Sequence, residues 1–177
     1  PFVYNSAPSR VIFGRGASLS LAAELDRLGL KRALVLSTPQ QEEQSLSIAS
    51  NLEWRLAGSF HEAAMHTPTD VTAAGVGLAR EINADCLVAI GGGSTIGLGK
   101  AIAWRTDLPQ VVVPTTYAGS EMTPILGQTE DGLKTTIRNP KIQPQTVIYD
   151  VDLTLTLPAQ ISVTSGLNAA AHAAEAL

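Results

Sequence analysis

Between Val88 and Ala101 the chain reads VAIGGGSTIGLGKA: an apolar strand runs into Gly91, Gly92, Gly93 and Ser94 and then directly into a helix. Glycines let the backbone turn sharply and approach a ligand closely. The unpaired amides at the helix start and the positive end of its dipole favour an anion such as a pyrophosphate. A strand that feeds a helix through so tight a turn requires a sheet with helices laid against it. The wording matches neither G-x-G-x-x-G with its ribose acid nor the nucleoside-triphosphate loop that ends in Lys-Ser or Lys-Thr, and Lys100 lies on the helix rather than in the turn.

The rest of the chain supplies such a sheet. Leu21, Leu25 and Leu28 follow Ser18 at helical spacing and stop at Gly29, and the apolar run Ala33 to Leu36 predicts a buried strand. A polar helix around Glu42 to Leu52, a strand near Arg55 to Phe60, a helix from Asp70 to Ile82 and a strand from Cys86 to Ile90 continue the alternation. After the glycine turn come a helix toward Trp104, the strand Val111 to Val113, a polar turn-rich stretch, and a last strand over Thr146 to Tyr149. Repeated strand and helix units predict an α/β fold: a Rossmann-like, mainly parallel sheet with helices on both faces. At the front, Phe2 to Tyr4 and Val11 to Phe13, split by Asn5, Ser6 and Pro8, read as a short hairpin or edge ribbon.

Composition narrows the function. With 177 residues, 45% apolar and 16% charged, the chain can bury a core. Twelve Lys and Arg against sixteen Asp and Glu, a net charge of -4, argue against a nucleic-acid partner. No apolar run reaches the roughly 20 residues a membrane helix needs, so no membrane partner and a cytoplasmic location are expected. Cys86 stands alone and reads as core, and Trp54 and Trp104 read as packing. The chain opens at Pro1 rather than Met. From Pro158 it turns Ala-rich and reaches Leu177 inside a helix without a Gly or Asn cap, so a trimmed start and a continuing helical domain are expected. The division is 1–157 for the α/β domain and 158–177 for the first helix of the second.

Two further stretches carry polar chemistry. VVVPTTYAGSEMTP, Val111 to Pro124, leaves a strand's carboxyl end with Thr115, Thr116, Tyr117, Gly119, Ser120 and Glu121, where open α/β sheets place their ligands. In SGLNAAAHAAE, Asn168 and His172 stand four apart and share a helix face. Taken in order, GGGSTIGLGKAIA, VPTTYAGSEMTPI, YDVDLTLTLP and SVTSGLNAAAHAAEAL resemble the iron-containing alcohol dehydrogenase superfamily over nearly the whole chain, and within it most the maleylacetate reductases.

That resemblance implies an NADH- or NADPH-dependent oxidoreductase of bacterial aromatic breakdown. It would reduce the conjugated carbon-carbon double bond of maleylacetate, a small dicarboxylate, to 3-oxoadipate, as a homodimer. Gly91, Gly92, Gly93, Ser94 and Thr95 would hold the pyrophosphate. Thr115, Thr116, Tyr117 and Ala118 would contact the rest of the cofactor, with Lys134 near the nucleotide and Thr67 close by; His61 and His66 are assigned no role. Ser37 and Thr38 fall where NAD-selective members carry an Asp for the ribose, so both cofactors are expected. Asn168 replaces a metal-ligating Asp, and Gly97 stands where many members have Asp. A neutral amide is a poor ligand, so no tightly bound metal is expected. His172 and Tyr117 are the catalytic candidates, and Asn168 and His172 the substrate-binding ones. Arg138 and Lys141 read either as solvated surface or as attractors for a dianion. The alternatives are a metal-dependent alcohol or polyol dehydrogenase of the same superfamily, or a non-catalytic nucleotide-binding module.

Overall fold

A computed structural model describes residues 9–130 and 132–175, without the side chains of 130, 172, 173 and 175. Six parallel strands form the sheet: β1 (Arg10–Gly14), β2 (Ala33–Leu36), β3 (Leu56–Phe60), β4 (Cys86–Gly91), β5 (Gln110–Pro114) and, after a separate hairpin of β6 (Ile125–Glu130) and β7 (Leu133–Arg138), β8 (Thr146–Asp150). Their order is β1-β8-β5-β4-β2-β3. From β2 the chain steps outward to β3, then crosses to the other side of β2 for β4. The strand order therefore reverses between β2 and β4, the place where α/β sheets open a crevice at their carboxyl ends.

The helices are α1 (Leu21–Leu28), α2 (Glu42–Ala49), α3 (Thr69–Glu81), α4 (Gly93–Thr106) and α5 (Ala159–Glu175). Both sheet faces are covered because both sets of alternating strand residues are apolar. Ala33 and Val35 pack with Leu21, Leu25, Ile48 and Leu52 on one face. Leu34 and Leu36 pack with Val76, Ala79, Leu98 and Ile102 on the other. Each fully buried aliphatic side chain contributes about 1.5–3 kcal/mol relative to exposure. Cys86 is fully buried, and burial pushes its thiol well above its ordinary pKa, which keeps it a core residue.

Several expectations change. Val11 to Phe13 lies in β1, an edge strand paired in parallel with β8, while its expected ribbon partner Phe2 to Tyr4 lies outside the described residues. Ser18, before α1, sits in a 3-10 turn, and its hydroxyl donates to Asp150 at 2.6 Å. The helix from Glu42 ends at Ala49 and tightens into a 3-10 segment through Arg55. The stretch after Pro114 contains the antiparallel hairpin β6-β7, which reading it as turn-rich missed. Trp54 is not packing; it is 63% exposed, with the Arg55 guanidinium 4.4 Å above its ring. Lys141 reaches Asp107, the residue that ends α4 at the pole away from the glycine turn.

Two carboxylates lock the β1-β8 edge to α1. Glu24, buried, takes Arg10 and Arg27 at 2.9 Å each. Burial alone would raise its pKa, yet the two guanidinium groups hold it below the ordinary value. Asp150 accepts from the amides of Gly16 and Ser18 and from the Ser18 hydroxyl. Burial again opposes its charge, and these bonds overcome it. No helix among the described residues is long and apolar enough to cross a membrane.

Candidate nucleotide site

The glycine turn lies at the reversal of strand order. Gly91 ends β4 beside Pro114 of β5, two residues beyond Ala89, the partner of Leu36 in β2, and the amide of Thr115 donates to the Gly91 carbonyl. A Cβ on Gly91 would fall 2.4 Å from Thr95 Oγ1, and one on Gly92 2.9 Å from Thr116 Cγ2, so neither position tolerates a side chain. Gly93 differs: its Cβ would meet only Ala118 Cβ, at 3.6 Å, and the residue is exposed. The third glycine is therefore not demanded by packing and leaves open space at the first position of α4, where the helix amides have no intrahelical acceptor. No side chain caps this end, and no acidic residue occupies its first turn. Thr95 Oγ1 and Thr116 Oγ1, buried at the turn, have no hydrogen-bond partner among the described residues.

Two cavities flank the turn. One, of about 350 Å³, gathers Thr67, Gly93, Ser94 and Lys134 with His66 and Lys100, and no carboxylate borders it among the described residues. Thr67 reaches it in a left-handed conformation (φ 48°), held as its carbonyl accepts from the Thr129 amide of β6. Gly97 belongs to this wall: a Cβ there would fall 2.5 Å from Thr67 Oγ1, so Thr67 occupies the space an acid at 97 would need. The other cavity, of about 820 Å³, is lined by Phe13, Thr116, Tyr117, Glu121, Tyr149 and Leu155 and is bordered by Ala169 of α5.

A hydrogen-bonded bridge spans the crevice between the loops after β2 and β5. Gln41 Nε2 donates to Thr115 Oγ1 at 2.8 Å, and Thr38 Oγ1 lies 3.4 Å from Gln41 Oε1. Thr115 is thus engaged within the protein, whereas Thr116, Tyr117 and Ala118 reach the surface in part or in full. Ser37 does not face the crevice. It is fully buried, 2.7 Å from His61 Nδ1 and donating to the Thr38 carbonyl, so it supports Thr38 from behind. Asn168 is exposed on α5, and the side chain of His172 lies outside the described residues.

Two buried ionisable groups escaped the sequence reading. Lys100, 1% exposed, donates to the carbonyls of Ser120, Thr123 and Ile125 at 2.5, 2.6 and 2.9 Å, and burial draws its pKa down to about 8 against the opposing pull of Glu121. Glu121, 2% exposed, accepts the Tyr149 hydroxyl at 2.7 Å on Oε1 and leaves Oε2 without a partner. Burial, then this contact, pushes the Tyr149 phenol up. The available signal was a lysine on an otherwise apolar helix, IGLGKAIAW.

The family model described as iron-containing alcohol dehydrogenase matches residues 8–151. The chain belongs to that family. Among its relatives, a maleylacetate reductase from Rhizobium sp. (strain MTP-10005) is 63% identical over 177 residues, all of this chain and 50% of that protein. A maleylacetate reductase from Sphingobium indicum is 56% identical over 176 residues, again covering half of the relative. The crystal structure of a maleylacetate reductase from Agrobacterium tumefaciens superposes with a TM-score of 0.97 at 63% identity, covering 99% of this chain and 50% of that one. The chain thus spans about half the length of these members of the iron-containing alcohol dehydrogenase family.

Proposed function

We propose that the chain is the nucleotide-binding half of a maleylacetate reductase. The observation that carries this reading is 63% identity, over every residue of the chain, to a protein of that name. The site supports it. The open first turn of α4, the partnerless Thr95 and Thr116 hydroxyls and the cationic cavity at Lys134 suit a pyrophosphate. The aromatic cavity beside Tyr117 suits an uncharged ring, which sets the cofactor's phosphates toward Lys134 and its nicotinamide toward α5. Residues 1–157 form the nicotinamide-nucleotide domain and 158–177 begin a helical one.

Bound there, reduced nicotinamide supplies hydride. Added to the alkene carbon β to the ketone of maleylacetate, the hydride sends the displaced electron pair to the ketone oxygen as an enolate, and one proton at the α carbon completes 3-oxoadipate. His172 and Tyr117 are the chain's candidates to donate to that oxygen or deliver that proton. Asn168 and His172, four residues apart on one helix, are its candidates to bind substrate. Thr38, half-buried and neutral, accommodates both NADH and NADPH.

The family description names iron, and the donors described do not fit it. Asn168 offers a neutral amide, a poor ligand for a divalent metal. The reaction is accordingly assigned no metal step. Full-length protein is expected to oxidise NADH with maleylacetate at a rate a chelator leaves unchanged, acting as a cytoplasmic homodimer. Turnover of simple alcohols only on adding iron or zinc, with none of maleylacetate, would overturn the assignment in favour of a metal-dependent dehydrogenase.

A further inference from the structure

Lys100 is the largest fully buried side chain of the described core, and it is a cation without an ion-pair partner within 4 Å among the described residues. Its ammonium has three protons, and three backbone carbonyls, from Ser120, Thr123 and Ile125, receive them; Thr123 Oγ1 stands at 3.2 Å and donates in turn to the Ser120 carbonyl. These carbonyls belong to the segment that joins the two cavities. Upstream of it lies Tyr117, within it Glu121, and its last residue, Ile125, begins the hairpin that carries Lys134. The lysine itself extends from α4, whose first turn is the candidate phosphate site. One side chain therefore ties the anion-binding helix to both flanking walls.

We propose that Lys100 is a positioning residue for the nucleotide site, its ammonium fixing the 120–125 segment so that Tyr117 and Lys134 stand at set distances from the glycine turn. The reason for a lysine is geometric. Three converging carbonyl dipoles repel one another, and a buried apolar side chain would leave all three unsatisfied. A neutral amine has two N–H groups and a lone pair, so deprotonation turns one carbonyl from partner to repeller. The charged or titratable groups around it are Glu121 from the following loop, Tyr149 of β8 against Glu121, and His66 and Lys134 across the smaller cavity. With its pKa drawn down to about 8, Lys100 loses its proton within the range where binding is measured.

The inference rests on the nucleotide reading above. Its test is NADH titration by calorimetry on full-length protein from pH 7 to pH 10, for wild type, Lys100→Met and Lys134→Met. Wild-type affinity is expected to fall across pH 8 to 9. Lys100→Met is expected to bind at least about tenfold more weakly at pH 7 and to lose the alkaline decline. Lys134→Met also weakens binding but keeps that decline, which assigns it to Lys100. Lys100→Arg, which retains charge and donors, recovers part of the affinity. Tight binding by Lys100→Met with an unaltered pH profile overturns the positioning role and leaves the nucleotide site standing. Should Lys100→Met fail to fold, a flat wild-type profile overturns the role by itself. No NADH binding by wild type at any pH removes both readings.

Discussion

The cavity at Thr67, Ser94 and Lys134 and the cavity at Phe13, Tyr117 and Tyr149 share the carboxyl edge of one sheet, yet they are made of different materials. The first is bordered by glycines at a helix start and by lysines, with no carboxylate among the described residues. The second is bordered by aromatic and aliphatic side chains with Glu121, Asp150 and Asp152 against Arg15, which is itself paired to Asp152 at 2.9 Å. A polyanion is drawn to one and repelled by the other. On the proposed reading this contrast orients the dinucleotide, because binding energy from the phosphates is concentrated on one side while the other is left dry for an uncharged ring.

The contrast can be broken most severely at the glycine turn that borders the first cavity. Gly91→Ala places a methyl 2.4 Å from Thr95 Oγ1, so NADH affinity in a titration is expected to fall by roughly hundredfold or more, with the β4-α4 junction strained. Next come substitutions that separate the two sides. Tyr149→Phe removes the donor to Glu121 and is expected to destabilise the fold by about 1–3 kcal/mol in denaturant unfolding while leaving NADH affinity within about twofold. A comparable loss of affinity in that variant would mean that the phosphates use the aromatic side. A finer distinction lies at the loop after β2. Thr38→Asp is expected to disfavour NADPH against NADH by about tenfold in steady-state kinetics, through repulsion of the 2'-phosphate. An unchanged cofactor ratio would remove Thr38 from the ribose.

The smallest expected effect concerns the edge behind the aromatic cavity. Glu24 and Asp150 have carboxyls held below their ordinary values in the fold, so the unfolded chain binds more protons as the solution is acidified. Their contribution is fully present above roughly pH 4–5, near the unfolded values, and is lost as pH falls through the folded ones. Thermal unfolding followed between pH 6 and pH 3 should show that decline, and Asp150→Asn should flatten part of it.

Much of this architecture is legible in the sequence because its central strands are apolar on both faces. ALVL in β2, CLVAIG in β4 and TVIYD in β8 announce themselves by composition, and Gly29 ends α1 in the left-handed conformation its position implied. The glycine turn is legible for the same local reason. The hairpin β6-β7 is not, since ILGQTE and LKTTIR mix polar and apolar residues without a clear period, and Leu126 and Ile137 find their packing on the distant Ala101, Trp104 and Ile142; the signal was Asp131-Gly132 between two Thr-containing runs. Ser37 and Lys100 show the limit more sharply. Sequence position put the first toward the crevice and gave the second no role, whereas the sheet register buries Ser37 against His61 and the α4 packing angle carries Lys100 to three carbonyls 20 or more residues away. Long-range partners of this kind have no local periodicity to betray them.

The central claim is that phosphates sit on the first turn of α4, and Gly93→Asp tests it most directly. Gly93 is exposed, its Cβ would make only ordinary contact, and an acid at a helix start is favourable to the helix dipole, so the fold should keep or slightly gain stability. Calorimetric titration of this variant is predicted to show NADH affinity lowered by about hundredfold with an unfolding temperature equal to or above that of wild type. Wild-type affinity for NADH in a folded Gly93→Asp protein would contradict the account.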